Sequence, residues 1–436
     1  MEGLRQISQK IFDETQRFKK ASHSQTFETL LLSQHNDGRS KIHRNYIVEP
    51  ELVAWAGSAD VDAEATLRLV CLTSEPDTSL NVSRDVFSSA LFNLKVDLSM
   101  LYMICHVKDG FHYFPGDSTG FGYFLPTWFV GTSRYTVVWT FDAERSVTSG
   151  IVIERQPNTW RGFIDVLEKF NDCIQAPQVM CFAITSHQMH FYDGKLEAAL
   201  NDLRRIEKSI GFGPRKGAGH WHGEKDSHSA RKAGLSTLAV DEIFVHSQKV
   251  HEVAGKIKNS DRLRRSSARL LDDILAANRT VTERKSEIRD ERRRKYRSAL
   301  QKLSEAVPVL QQQMDANREY LSYMQYRAEN LAQVIIALLT HEDASATIDL
   351  AAASRKDTSS MKTIAIMTMI FLPATFFTAF FSLPLLQWDQ PRLFHNSFWV
   401  YWAFTIPSTA AVFGVWHATS LVNWNFFKIG NVSKHS

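Results

Sequence analysis

The stretch Arg355–Phe377 reads RKDTSSMKTIAIMTMIFLPATFF, and the fold of the whole chain is best worked out from it. Within a few residues it changes from polar to apolar, and Lys362 is its last charged side chain. No Asp, Glu, Lys or Arg occurs in 364–388, and none occurs in 393–427. Each of these stretches exceeds the roughly 20 apolar residues that a helix needs to cross a bilayer. The sequence therefore predicts two transmembrane helices at the C-terminal end.

The charges beside these stretches predict their orientation. The basic residues before the first stretch and after the second are Arg355, Lys356, Lys362, Lys428 and Lys434, whereas the connecting segment contains one, Arg392. The positive-inside rule therefore places both termini in the cytosol and the short loop outside. The first 20 residues contain acids and no apolar core, which argues against a secretory signal peptide. We expect a two-pass integral membrane protein whose partner is the lipid bilayer, with the plasma membrane favoured.

Composition narrows the class of the remaining chain. Of 436 residues, 44% are hydrophobic and 22% are charged, which is typical of folded proteins. The 51 basic and 47 acidic residues nearly balance, so no nucleic-acid partner is expected. The four cysteines form no CxxC pair, and we interpret them as buried thiols in a reducing compartment. No combination of nucleophile, base and acid stands out, so an enzyme is not expected.

The N-terminal third predicts a cytosolic α/β domain. Residues 1–60 are interpreted as a polar lead-in with one short helix at most, and 61–157 as the α/β region. Runs rich in β-branched and aromatic residues predict strands at Leu67–Leu72, Met100–Val107 and Tyr135–Phe141. The pair Asp109-Gly110 predicts a hairpin turn into Phe111–Phe114. Ser83 is a candidate N-cap for a helix over Arg84–Leu94.

Residues 158–306 predict the helical part of this domain. Apolar residues three and four apart begin it: Trp160, Phe163, Ile164, Leu167 and Phe170. A helix is predicted from near Pro177 to Ile210, ended by Gly211. A break at Gly211–Ser229 contains His220, His222 and His228, which glycine-rich surroundings make a poor metal site. Helices are then predicted over Leu235–Ala277 and Thr282–Ala306, where short basic runs at Arg262–Arg265 and Arg292–Lys295 are typical of a salt-bridged surface.

A stalk helix is predicted over 308–362, beginning at Pro308 and continuous with the first span at 363–381. A four-three apolar repeat, the seam, runs along it: Leu310, Met314, Asn317, Leu321, Met324, Ala328, Leu331, Ile335 and Leu338. Such a repeat is typical of a coiled coil, so the seam predicts self-association. The loop is then 382–397, the second span 398–421 and the cytosolic tail 422–436.

One face of the first span mixes small, hydroxyl and apolar side chains. Its members, three and four residues apart, are Met361, Ile364, Thr368, Leu372, Thr375 and Ala379. Between them, Phe371, Phe376, Phe377 and Phe380 are expected to face lipid. Small residues and Thr within a span are typical either of helix packing or of a water-filled path. Both interpretations stay open from the residues alone.

The string from Met361 to Phe377 resembles the first span of the CorA-like divalent-cation transporters, in particular their divergent, fungal-type branch. The close match covers the last 80–90 residues, and the rest of the agreement is architectural. The resemblance implies an α+β membrane protein with an N-terminal cytosolic α/β domain, a long stalk helix and two C-terminal transmembrane helices. It also implies a homopentamer that conducts Mg²⁺-type cations, with the six-residue face lining the pore. Beyond a transported or regulatory Mg²⁺, no cofactor is implied, and the metal ligands are unknown.

The outer end of the first span departs from that family. Where the family has Gly-Met-Asn, this chain has Ser382-Leu383-Pro384, and Asp389 is the one acid in the loop. A hard cation needs oxygen partners at the pore mouth, and Pro384 offers no side-chain oxygen. A second hypothesis therefore stands beside the channel. In it, the chain is a membrane-anchored scaffold or sensor that kept the architecture and lost the selectivity motif.

Overall fold

The computed structural model describes residues 2–15, 17–19, 25–35, 40–58, 63–119, 122–212, 240–283, 291–382 and 398–432. The chain divides into two compact units, Met1–Ile336 and Ala337–Ser436. The first contains a β-sheet with helices, and the second contains helix alone among its described residues. The mixed α+β class expected from the sequence is confirmed.

The first unit is built on a seven-stranded mixed sheet with strand order β2-β1-β3-β9-β8-β7-β4. Its strands are β1 Thr26–Gln34, β2 Ser40–Val48, β3 Ala65–Thr73, β4 Gly110–Phe114, β7 Thr127–Gly131, β8 Tyr135–Asp142 and β9 Val147–Glu154. The β3–β9 pair is parallel and the other pairs are antiparallel. Two short strands, β5 Asp117–Thr119 and β6 Gly122–Phe124, pair separately. The strands predicted at Leu67–Leu72 and Tyr135–Phe141 are confirmed as β3 and β8.

Helices cover both faces of the sheet. The short helices are α1 Glu2–Glu14, α2 Glu51–Gly57, α3 Arg84–Asn93, α4 Leu101–Cys105 and α5 Thr159–Leu167, and the long ones are α6 Gln178–Ser209, α7 Val240–Glu283, α8 Glu291–Phe381 and α9 Phe398–Val432. Because side chains alternate across a strand, Leu67 and Leu69 of β3 pack in the core with α5, α6, α7 and α8. Val70 and Leu72 pack in the opposite core with α1, α2, α3 and α4.

The strand predicted at Met100–Val107 is wrong. This segment is a 3-10 turn, Leu98–Met100, followed by α4. The Asp97 carboxylate accepts the backbone N–H of Ser99 at 2.9 Å, which starts a helical turn, and the buried residues Met100, Leu101 and Ile104 then follow helical spacing. Gly110 opens β4 with φ +123°, so Asp109-Gly110 joins a helix to a strand and the hairpin is also wrong.

The helix predicted after Ser83 is confirmed as α3. The predicted side-chain cap is wrong, because the Ser83 side chain makes no capping hydrogen bond. The Glu49 carboxylate instead accepts the backbone N–H of Ser83 at 2.8 Å. A residue distant in sequence thus holds the start of this helix.

The lead-in predicted at 1–60 is wrong, because its described residues form α1, β1, β2 and α2. Arg5 of α1 is 1% exposed and its Nη2 donates to the Asp97 carboxylate, itself 0% exposed, at 2.6 Å. Burial alone would raise the pKa of Asp97, but the hydrogen bonds from Arg5 and Ser99 outweigh it and lower that pKa. Removing one partner of a buried ion pair costs about 3–5 kcal/mol, so α1 is firmly part of the fold.

In the helical middle of the chain, the predicted bounds are correct for α6 and differ from the structure after it. The helix predicted from Pro177 to Ile210 is confirmed, and Gly211 ends it at φ +71° with the Phe212 N–H donating to the Glu207 carbonyl at 2.8 Å. The break predicted between Ala277 and Thr282 is wrong, because α7 continues to Glu283. The stalk start predicted at Pro308 is also wrong, because α8 already begins at Glu291. Burial of Leu303 and Val307 in the core stabilises the helix across this proline.

The seam of α8 is covered by its own chain. Met314, Leu321, Met324, Ala328, Leu331 and Ile335 are each at most 5% exposed. Met314 and Leu321 lie in one cleft with Met189 and Leu196 of α6. Further along, Arg327 donates to the Glu207 carboxylate of α6, with Nε to Oε1 at 3.0 Å. The inference that the seam requires another copy of the chain is therefore wrong for these residues.

Candidate functional site

The end of α8 is the candidate for a membrane-spanning helix. Among the described residues, one helix, Glu291–Phe380, is long and apolar enough to cross a membrane. Only 6% of its most apolar 18-residue stretch is buried. Large apolar side chains stand exposed there, including Ile364 at 67%, Phe371 at 60% and Leu372 at 65%. An apolar surface of this extent requires lipid or a protein partner to cover it.

The six residues of the predicted pore face all lie on this helix. At about 100° per residue they fall within an arc of about 80°. All six, Met361, Ile364, Thr368, Leu372, Thr375 and Ala379, are exposed. The sequence spacing thus corresponds to one continuous strip on α8, within a segment most of whose side chains are exposed.

A different strip of α8 packs against α9. The Tyr401 hydroxyl donates to the carbonyl of Ala374 at 3.3 Å and lies 3.4 Å from the Thr378 hydroxyl. The rings of Phe377 and Phe404 are 6.1 Å apart, and Pro373 is buried. The expectation that Phe377 faces lipid is therefore wrong, because its ring packs against Phe404 of α9 and is only partly exposed. This strip is centred about 150° around the helix from the six-residue strip.

The threonine hydroxyls of the exposed strip bond within their own helix. Thr368 donates to the carbonyl of Ile364 at 2.6 Å, and Thr375 reaches the carbonyls of Phe371 and Leu372, each at 3.0 Å. Each hydroxyl proton is satisfied without a neighbouring helix, as apolar surroundings require. The oxygen lone pairs still accept hydrogen bonds, so the strip can contact water at these two positions.

The predicted outer mouth is described only at its first residue. Ser382 follows the last turn of α8, and its hydroxyl donates to the carbonyl of Thr378 at 2.7 Å. Leu383, Pro384 and Asp389 lie outside the described residues, as do His220, His222 and His228. Helix α9 runs from Phe398 to Val432 and so contains the whole of the predicted second span, 398–421.

The remaining polar candidates serve the fold. Arg262 pairs with Asp109 at 2.7 Å, and Lys295 pairs with Glu64 at 2.6 Å. The interpretation of the basic runs as salt-bridged surface is confirmed at these positions. Within the described ranges, no group of three or more His, Cys, Asp or Glu side chains is placed to hold a metal ion.

Sequence reasoning missed Tyr401 as a contact between the two C-terminal helices, where its hydroxyl donates to the carbonyl of Ala374. The position of Tyr401 as the fourth residue of the predicted second span, 398–421, was a usable signal, because an aromatic ring with a hydroxyl is typical of the ends of spans. Its partner on α8 could not be chosen from spacing alone.

Comparisons with known proteins give little further identification. No protein-family model matches the chain, and no curated protein matches it. Solved structures do match. One of them is described as the structure of the full-length CmaX protein, which is 10% identical over 92% of this chain and 99% of that chain, with a TM-score of 0.35. At this TM-score the likeness carries no argument about this chain's fold or activity.

Proposed function

We propose that this chain is a CorA-like integral membrane protein that conducts divalent, Mg²⁺-type cations. The exposed strip of α8, from Met361 to Ala379, lines the pore. The observation that carries the proposal is that the residues of α8 in contact with α9 lie on nearly the opposite side of the helix from the six exposed residues. A helix with this division can present its exposed strip to a central axis and its covered strip to an outer layer.

The assembly in this proposal is a homo-oligomer, with five copies by resemblance to the family. Both termini are cytosolic and the segment between α8 and α9 is outside, as the basic residues before Ile364 and after Phe427 favour. No enzyme activity and no nucleic-acid partner are part of the proposal. The bilayer covers the exposed phenylalanines of α8 that lie beside the strip.

Within the strip, Leu372 is the proposed constriction. It is exposed, and it lies between the hydroxyls of Thr368 and Thr375 along the strip. A ring of leucines would form an apolar gate that closes by dewetting, whereas threonine oxygens would contact the hydration shell of the ion. A hydrated cation is the proposed species, because Mg²⁺ loses its waters reluctantly.

The second candidate function is a membrane-anchored scaffold or sensor that does not conduct. Ser382-Leu383-Pro384 in place of the family's Gly-Met-Asn favours it. This triplet lacks the amide side chain expected to hold a hydrated cation at the mouth. The two candidates share one architecture and differ in whether ions pass.

The test is flux of Mg²⁺, Co²⁺ and Ni²⁺ into liposomes that contain the purified full-length chain. Leu372→Ser is expected to raise flux several-fold, because a hydroxyl keeps the constriction wet. Thr375→Trp is expected to abolish flux, because five indoles would fill the pore. Phe376→Trp is the matched control. It adds the same side chain one residue away, beside the strip, and is expected to leave flux near the wild-type rate.

Equal loss in Thr375→Trp and Phe376→Trp would contradict the assignment of the strip. If the wild type shows no flux, the next experiment replaces Ser382, Leu383 and Pro384 by Gly, Met and Asn. Flux gained by this variant would show an intact pore that lacks only its mouth. Absence of flux in both proteins would reject the channel and retain the scaffold.

A further inference from the structure

The first unit contains a cavity lined by charged, polar and apolar side chains. It has a volume of about 210 Å³. One wall is the turn between β7 and β8, which contains Arg134. The other walls are one strip of α6, with Gln188, Phe191, Tyr192 and Lys195, and one strip of α7, which begins at Lys256. Both strips follow helical spacing, so two rigid helices and a turn set its geometry.

Two cations in this cavity lack an ion-pair partner within the described residues. The Arg134 guanidinium lies over the Phe191 ring at 3.7 Å from its centroid, and the Lys195 ammonium lies 5.3 Å from the same centroid. The third cation, Lys256, is paired with Glu252 at 2.6 Å and lies 3.9 Å from Asp202. The charge of the Glu154 carboxylate acts to raise the pKa of Arg134. This carboxylate forms its hydrogen bond elsewhere, because it accepts the backbone N–H of Trp160 at 2.9 Å. The cavity therefore has an excess of positive charge.

Unsatisfied hydrogen-bond donors accompany these charges. The Gln188 side chain is 4% exposed, and its Nε2 has no hydrogen-bond partner, while its oxygen accepts from the Ser267 hydroxyl at 2.5 Å. The Tyr135 hydroxyl lies near this amide, but no hydrogen bond of standard geometry joins them. The buried Nε of Arg134 also has no partner. A buried donor left unpaired costs about 1–3 kcal/mol, so an acceptor placed between these groups would be strongly favoured.

The turn holds Arg134 in place before any ligand binds. The Thr132 hydroxyl oxygen accepts the backbone N–H groups of Arg134 and Tyr135 at 3.2 and 3.1 Å. The Arg134 carbonyl accepts the N–H groups of Arg155 and Gln156 at 2.8 and 3.1 Å. Because the backbone is fixed and the guanidinium is stacked, little freedom is lost when an anion binds.

We propose that this cavity binds a small soluble molecule that carries a phosphate group. Arg134 donates two hydrogen bonds to phosphate oxygens, Lys195 supplies a second charge and Gln188 supplies an amide N–H. A guanidinium fork with an ammonium is the donor set typical of phosphate recognition. The volume admits inorganic phosphate or a compact phosphomonoester. The site lies within the first unit and does not depend on whether the chain conducts ions.

The test is calorimetric titration of the full-length protein in detergent with inorganic phosphate, and then with a phosphomonoester. Sodium chloride keeps the ionic strength constant. Saturable binding is expected, with affinity reduced about tenfold or more in Arg134→Gln and in Lys195→Gln. Lys208→Gln is the matched control, because it removes one exposed charge from the same helix outside the cavity, and its affinity is expected to equal that of the wild type.

Lys195 is exposed, so Lys195→Gln keeps the test decisive if Arg134→Gln fails to fold. Tighter binding of the phosphomonoester than of inorganic phosphate would identify the ligand as an organic phosphate. The reverse order would identify it as free phosphate. No saturable binding at millimolar phosphate would overturn the proposal. Equal loss in Lys195→Gln and Lys208→Gln would overturn it as well.

Discussion

His187 shows how burial sets the behaviour of a single residue in the first unit. It is 6% exposed, and its Nδ1 lies 3.3 Å from the Tyr135 hydroxyl. Burial, with smaller effects from the charges of Arg134 and His190, lowers its pKa from 6.5 to about 4. The imidazole is therefore neutral in the folded protein at pH values where it is charged in the unfolded chain.

This shift predicts a stability change in mild acid. Above about pH 6.5 the histidine is neutral in both states and has no effect. As the pH falls from 6.5 towards 4, the unfolded state takes up the proton and the folded state does not, so stability falls. The loss amounts to about 3 kcal/mol across this window. Chemical unfolding of wild type and His187→Gln at several pH values measures it, since the variant lacks this contribution.

His251→Gln is the control for this measurement. His251 is exposed on α7, with its Nδ1 at 2.9 Å from the Ser247 carbonyl. We expect this variant to follow the wild-type pH dependence. A His187→Gln protein that loses stability between pH 6.5 and 4 as steeply as the wild type would show that His187 is not the responsible group.

At the scale of elements, α8 changes role along its length. Its first part is built into the core of the first unit, where Leu300, Leu303 and Val307 are buried. Further along, the seam lies in a cleft with α6 and α7, and the Arg327–Glu207 pair joins it to the end of α6. An intramolecular partner thus takes the position that a coiled-coil pattern would assign to a second chain.

The seam therefore predicts an effect on folding. Replacing Leu321 and Leu331 together by Asp places two carboxylates in buried positions, which costs several kcal/mol. We expect the midpoint of the thermal transition, followed by circular dichroism, to fall by about 10 °C or more, or the transition to disappear. Val309→Asp with Tyr326→Asp is the control at exposed positions of the same helix, and it should shift the transition little.

The competing outcome is specific. If the seam bound another copy of the chain, the Leu321 and Leu331 variant would keep its thermal transition while its mass in detergent fell. Light scattering alongside circular dichroism separates the two cases in one sample.

At the scale of the whole molecule, the order of sheet, long helix and apolar end fits a chain with one aqueous and one membrane part. Apolar side chains are buried in two cores around the sheet and are exposed near the end of α8. Only a nonpolar environment or a partner stabilises such an exposed surface. Topology is therefore the first property to test in cells.

Two spans predict that tags fused at Met1 and Ser436 are both protected from external protease in sealed cells. A tag inserted after Trp388, in the segment between α8 and α9, is the control and should be cleaved from outside. The physical basis is the excess of basic residues flanking the two apolar stretches on one side. Cleavage at one terminus alone would mean an odd number of spans.

The features that depend on local pattern could be predicted from the sequence alone. Enrichment in β-branched and aromatic residues identified β3 and β8, and the positions of Pro177 and Gly211 identified α6. The absence of charge in 364–388 identified the apolar end of α8. It also selected six residues that share one exposed strip, because helical periodicity fixes relative angle without any knowledge of neighbours.

The features that depend on a distant partner could not be predicted from local pattern and follow from tertiary contacts. Met100–Val107 contains residues that suit a strand, yet Asp97 starts a helix there and the core accepts its apolar face. Arg5 is buried beside Asp97, a partner 92 residues away in the sequence. The seam repeat fixed which side of α8 is buried, but only packing showed that α6 covers it. Periodicity records the direction of a buried face, whereas the identity of its partner depends on contacts between residues far apart in the chain.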